Sequence, residues 1–364
     1  MIIMAQQNTT LIVGKKESVV DEILLLSPHQ IPLLSLVGFG EPVYNTKHEW
    51  VEDEMFAYET KLTAAVDNVV TTLTVADGSI FRPQHVIQVE DEYMLVTAVN
   101  GNDVTVTRGY LGSTAAAHAQ DAVVEILYNE AEEGAVAREA RAKQRKIVEN
   151  YTQIFDDTID VSGSTMAVAQ YGVDDEYERQ RLHKQSELAL QLEKAMIAGP
   201  GVNNGLKRYM KGIRNYIVSN IEDGQGADIT YDMLNNALQK IYAAGGFKTM
   251  SQHVIMVPAA QKRAIAKLGE DKVRYGVGDK IEGRVVDTVI SDFGEFPVVL
   301  NDNLRSNEIF IVDLNRIAVR PLGDRSFSHE FLGKQGDFIR GQLLGEYTLE
   351  FKQEKAHAKI VNLK

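Results

Sequence analysis

Apolar positions alternate or run together in strand fashion over residues 86–89 and 92–99. Asn100-Gly101 then supplies two positive-φ positions for a tight hairpin turn, and Val104-Thr105-Val106-Thr107 answers as the return strand. After Arg108-Gly109-Tyr110-Leu111-Gly112, a last apolar run over 122–127 closes the series. The pattern predicts an all-β cassette over 60–128, a small barrel or sandwich. It is inserted between two segments that read as halves of one hairpin, 44–51 and 150–155, the second running on to Gly163.

The period changes over 174–199. Leu182, Ala189, Leu192 and Met196 recur at helical spacing, Asp174, Asp175 and Glu176 fill the first turn, and Gly199-Pro200-Gly201 stops the run. So thin an apolar stripe suits a helix that lies on a sheet by one edge. Residues 201–316 mix the two periods. A helix is expected over 230–244, with Leu234, Ala237, Leu238 and Ile241 on one face, then a strand over 253–257. Pro258 opens a further helix to Leu268, and strands follow over 285–290, 298–300 and 309–312. The tail, 346–351 and 356–361, reads as a hairpin across 352–355. The charge-mixed bridge 130–146 is open to two readings: a helix supported by the Glu139–Lys143 spacing, or an extended loop. Residues 1–43 read as an arm, with an amphipathic stretch over 19–26 and an apolar run over 31–37 broken by Pro32. Such runs either cap the chain's own core or dock on a neighbouring subunit.

At 364 residues, with 44% hydrophobic and 24% charged side chains, the chain can bury a real core. The absence of cysteine removes disulfides, thiolate metal sites and a cysteine nucleophile. A net charge of −13 argues against a dedicated nucleic-acid binder and suits an abundant soluble protein. The first residues lack the pattern of a signal peptide, and no apolar stretch reaches the roughly 18 residues that span a bilayer.

Candidate chemistry is sparse. The eight histidines, at 29, 48, 85, 118, 183, 253, 329 and 357, never fall at the spacing of a helical metal site. Acidic residues cluster at Glu49, Glu52, Asp53 and Glu54, at Glu90-Asp91-Glu92, and at Asp156, Asp157 and Asp160. Asp156 and Asp160 share a strand face and could hold an ion, but a salt-bridging edge that blocks aggregation is the favoured reading. The loop 274–280 matches a phosphate loop only loosely, and the basic run 207–211 is expected to pair with carboxylates. Trp50 fits an interface anchor or a core residue equally. No catalytic, cofactor-binding or metal-ligating residue is assigned, and no cofactor is expected.

Asn150-Tyr151-Thr152-Gln153-Ile154-Phe155, Val161-Ser162-Gly163-Ser164 and the helix over 174–199 resemble the major capsid proteins of tailed bacteriophages. Ile213-Arg214-Asn215-Tyr216-Ile217, the helix from Thr230, Val254-Ile255-Met256-Val257-Pro258 and the final strands continue the similarity over most of 44–364. The resemblance implies an α+β capsid fold. Its parts would be an N-terminal arm (1–43), an extended loop (44–165) and a peripheral domain (166–216) with a spine helix (174–199). An axial domain (217–315) and C-terminal peripheral strands (316–364) would complete it. The stretch from Arg108 to His118 looks like a β module recurrent in phage structural proteins, here inserted in the extended loop at 60–128.

The resemblance further implies self-assembly of hexamers and pentamers into an icosahedral shell around double-stranded DNA, built in the bacterial cytoplasm. Scaffolding, portal and decoration proteins are the expected partners, and the short arm implies that the scaffold is a separate protein. No membrane is involved. Three other readings are weighed beside it: an encapsulin-like nanocompartment shell, a tail or decoration protein that binds through the β module, and a hydrolase built on the α/β block, against which the missing motifs count.

Overall fold

A computed structural model describes residues 31–134, 136–138, 140–168, 175–247, 252–268, 276–277, 287–333 and 336–364. The chain divides into two units, one of Met1–Trp50 with Val148–Lys364 and one of Val51–Ile147. The first described element, α1 (Pro32–Val37), begins on the proline expected to interrupt it. At the first helical position a missing N–H costs nothing and a fixed φ helps. Leu33 and Leu34 are buried in the unit's own core, so this run caps its own chain. The amphipathic stretch 19–26 lies outside the described residues. β1 (Lys47–Glu52) follows.

The Val51–Ile147 unit holds β2 (Glu59–Lys61), β3 (Thr72–Thr74), β4 (His85–Val89), β5 (Glu92–Asn100), β6 (Asp103–Thr107) and β7 (Val123–Asn129). The sheet order is β2-β7-β4-β5-β6-β3. Its two ends meet. Leu62 bridges Val75, the Thr63 N–H donates to the Thr74 carbonyl at 2.9 Å, and the Ala76 N–H donates to Lys61 at 2.9 Å. The sheet is therefore a closed barrel without a free edge. Period-two alternation points Leu73, Ile87, Val89, Met94, Val96, Val104, Val106 and Val124 inward, where all are buried. The β5–β6 turn is shifted by one residue from expectation. Asn100 still pairs with Asp103, so the turn is Gly101-Asn102, and of Asn100, Gly101 and Asn102 only Gly101 takes a positive φ, at 60°. Gly78 packs so closely beneath it that a Cβ would sit 1.9 Å from the Gly101 oxygen.

In the other unit, β8 (Lys146–Tyr151) pairs with β1 in a two-stranded ribbon. The bridge before β8 contains no helix among its described residues; Glu139 lies outside them, and Lys143 pairs with Glu54 at 3.3 Å. β9 (Gln153–Ser162), α2 (Gly163–Ala167) and α3 (Glu176–Ala198) come next. The Asp175 carboxylate caps α3, accepting from the N–H groups of Tyr177 and Glu178. Its buried stripe is Tyr177, Leu188, Leu192, Glu193, Met196 and Ile197. Leu182, expected on that stripe, is 51% exposed; between Tyr177 and Leu188 the helix buries no residue.

The remaining helices are α4 (Ile213–Tyr216), α5 (Tyr231–Ala243) and α6 (Ala259–Leu268). Thr230 caps α5, and Leu234, Ala237, Leu238 and Ile241 are buried as the spacing predicts. Strands β10 (Asn203–Asn204) and β11 (Lys207–Arg208) form a small hairpin. A seven-stranded sheet combines β12 (Ile221–Asp223), β13 (His253–Val257), β14 (Gly276–Val277), β15 (Asp287–Ser291), β16 (Gly294–Leu300), β17 (Ile309–Asp313) and a late strand of the tail. Its central strands run continuously apolar because both faces are covered. Val254, Met256, Phe310 and Val312 join the cluster under α3; Ile255, Val257, Ile309 and Ile311 join the cluster that includes Leu234 and Ile241 of α5 and Ile265 of α6.

A second sheet contains β18 (Ile317–Pro321), β19 (Ser328–Phe331) and β20 (Phe338–Phe351). β20 pairs with β9 along one side and with β18 and β19 along the other. The tail is not a hairpin. β21 (Ala358–Val361) leaves β20 behind and inserts between β12 and β17 of the seven-stranded sheet. Over Tyr347–Phe351, the stretch expected to pair with the tail, the ladder partner of β20 is β18.

Candidate functional site

The motif from Arg108 to His118 closes around one buried carboxylate. Glu92 occupies an inward register position of β5, two residues before Met94, and is 1% exposed. Arg108 grips it with two donors, Nε to Oε1 at 2.7 Å and Nη2 to Oε2 at 2.8 Å. The N–H groups of Gly109 and Ala116 each donate to it at 3.0 Å, and His118 Nε2 lies 3.0 Å away. The other ring nitrogen of His118 faces Glu90 at 3.0 Å. Arg108 also reaches the carbonyls of Asp67, Val70 and Ala116. Burial alone would raise the Glu92 carboxyl; the Arg108 guanidinium and the two amide donors outweigh it and hold it at about 2. This is a fastener that closes a loop over the barrel wall, with every acceptor taken. An open hollow of about 680 Å³ beside it is lined by Ala64, Ala65, Val66, Asp67, Thr72 and His118, among others.

In the other unit, β20 carries two carboxylates on one face four residues apart. Glu346 receives Arg208 at 2.8 Å, Arg325 at 3.1 Å and the Thr152 hydroxyl at 2.6 Å. Glu350 receives Arg320 and Lys352, with His48 at 3.4 Å. Burial works against its charge, yet these cations hold it at about 2. The pair ties β1, β11 and the segment after β18 to the final long strand. Glu193 does similar work for α1: its two oxygens accept from the Leu33 and Leu34 amides at 3.0 and 2.7 Å, and Asn301 donates at 2.9 Å. Desolvation pushes its carboxyl above the usual range.

Two histidines brace the turn between β20 and β21. His357 Nδ1 accepts the Asp313 N–H at 3.1 Å, so the proton sits on Nε2 and is donated to the Lys352 carbonyl at 3.1 Å. Complete burial holds this imidazole neutral, down to about 3. His253 Nε2 reaches the Ala356 carbonyl at 3.0 Å, and desolvation lowers it too.

The acidic clusters singled out in the sequence end in ion pairs: Asp53 with Arg145, Glu54 with Lys143, Asp157 with Lys184 and Asp160 with Arg340. Arg208 of the basic run pairs with Glu346, as expected. Trp50 is a core residue, 7% exposed, with Tyr216 at 6.1 Å. Most of the loop 274–280 lies outside the described residues, and no cluster of three or more histidine, aspartate or glutamate side chains is placed to hold a metal among those described. The buried acids Glu92, Glu193, Glu346 and Glu350 were not anticipated as a set. The signal was legible for Glu92, an acid at an inward strand position that demands a cation in register. These groups fix segments far apart in sequence, and their hydrogen-bonding capacity is spent on doing so.

No curated protein matches this chain significantly in sequence. Among solved structures, the capsid of cyanophage A-1(L) superimposes at a TM-score of 0.57 with 12% identity, covering 98% of both chains. The capsid of an empty GTA particle gives a TM-score of 0.54 with 10% identity, over 98% of this chain and 99% of that one. These likenesses establish an α+β fold of the HK97-like capsid type. The family model described as SU10 major capsid protein matches residues 4–364. The chain belongs to that family, and is thus a major capsid protein, a structural subunit of the icosahedral virion shell rather than an enzyme.

Proposed function

We propose that this subunit builds the head shell around phage double-stranded DNA, with its parts dividing the work as in other shells of this fold. The observation that carries the reading is the match of almost the whole chain to one capsid family, joined to a long helix lying under two sheets. In this reading α3 is the spine helix, and the sheet of β9 and β18–β20 is the core of the peripheral domain. The seven-stranded sheet is the axial domain, to which β21 of the tail contributes. Residues 44–165 act as the extended loop, and the Val51–Ile147 barrel is its insertion domain. Residues 1–43 form the N-terminal arm. Scaffolding, portal and decoration proteins are the further partners, and no residue has a catalytic, cofactor or metal-binding role. The net charge of −13 supports a wall to which packaged DNA does not adhere.

Negative-stain electron microscopy of the protein expressed alone and with a scaffolding protein tests this. Closed shells, or rings of five and six subunits, are expected. A uniformly monomeric or trimeric species under both conditions would overturn the reading. Tight DNA retention by purified shells at moderate salt would overturn the role given to the charge.

A further inference from the structure

The barrel unit is acidic, yet Arg138, Arg141, Lys143, Arg145 and Lys146 crowd the segment that leaves it. Lys143 and Arg145 are balanced by Glu54 and Asp53. The arginines nearest the barrel are not. Among the described residues, Arg138 donates to the Gln84 side chain at 3.0 Å, and Arg141 to the Ile80 carbonyl at 2.6 Å while lying over the Phe56 ring at 4.2 Å. Arg82 reaches His85 at 3.2 Å and Asn129 at 3.4 Å. Among the described residues none of the three meets a carboxylate.

His85 lies at their centre and shows the imbalance. It is 2% exposed, and its Nε2 accepts from Arg82, which leaves the proton on Nδ1. That buried N–H has no acceptor among the described residues. Burial, then the charges of Arg141, Arg82 and Arg138, drive the imidazole down to about 4. Three guanidinium groups and one orphan donor therefore share a patch with neutral oxygens alone. Guanidinium forks are suited to carboxylates, and stacking on Phe56 fixes the plane of one of them.

We infer that Arg82, Arg138 and Arg141 receive carboxylates from a neighbouring copy of this chain in the shell. The inference rests on shell assembly by this chain, where the partner present at every contact is another copy. Each copy carries 51 acidic against 38 basic side chains, so charge complementarity selects that partner.

The test compares wild type with the Arg138→Glu/Arg141→Glu and Arg138→Lys/Arg141→Lys variants, each followed by thermal melting and by shell yield in electron micrographs. The reversed variant should melt like wild type but lose shells at least about tenfold, from like-charge juxtaposition. The lysine variant should assemble. Treated with a zero-length carbodiimide, its shells should give an amide between position 138 or 141 and a carboxylate of another copy. Wild-type shell yield from the reversed variant, or cross-links confined to single chains, would overturn the inference. Failure of the wild type to form shells would instead overturn the shell reading.

Discussion

In the barrel, strands that pair are close in sequence: Glu59 meets Glu125 at the most distant ladder, and Val86 meets Leu95 at a near one. In the other unit, Phe338 meets Ser162 and Ile221 meets Lys359. Loop closure therefore costs less in the barrel, and one buried polar knot around Glu92 suffices to pin its longest excursion. The other unit needs several ties because its partners arrive from remote parts of the chain. Glu193 meets Leu33, Glu346 meets Arg208 and Glu350 meets His48, each pair more than a hundred residues apart. The two units should accordingly fail independently, and from different causes.

Arg108→Met gives the sharpest separation. It leaves Glu92 buried without its cation and should cost the barrel about 3–5 kcal/mol, lowering one calorimetric transition while the other stays in place. A single unchanged transition would mean the clasp carries no load. Leu192→Ala does the reverse. Truncating this fully buried side chain of α3 should cost the larger unit about 2–5 kcal/mol and leave the barrel untouched.

Acid provides a third probe. Unfolded His357 takes up a proton near 6.5, whereas the folded residue refuses it until about 3. Its contribution to stability is thus complete above pH 6.5 and declines as pH falls toward 3, by at most about 1.4 kcal/mol per pH unit. Denaturant melts across that window should show this slope in wild type and a shallower one in His357→Gln. Thr230→Ala removes the α5 cap and should cost about 1 kcal/mol, read as a shift in urea midpoint. Leu182→Ala, on the solvent side of α3, should stay within about 0.5 kcal/mol; a larger loss would restore it to the buried stripe.

The same contrast explains what the sequence disclosed. The pattern over 86–107 located β4, β5 and β6 almost to the residue, because β5 and β6 alternate between core and solvent and β4 is an apolar run bounded by polar residues. Helix α5 was equally clear, with Thr230 before it and Gly245 after it. The tail misled because its two strands are apolar and adjacent, which is also how a hairpin looks; what separates them is the pairing of β21 with β12 and β17, strands remote in sequence. Pro32 misled because a proline starts a helix and stops one, and the choice depends on Glu193, far along the chain. The acids of β20 were hidden for the same reason: a glutamate in a strand says nothing of the arginines that will meet it from positions 208, 320 and 325.

The turn that carries the chain from β20 to β21 also sets a schedule. Both strands leave the ribosome after nearly every other element has been made, yet β20 is an inner strand of one sheet and β21 an inner strand of the other. While residues 338–361 are still being synthesised, neither sheet can be completed, although the barrel can already be folded. A nascent subunit is consequently unable to close either sheet until these two strands are threaded into place.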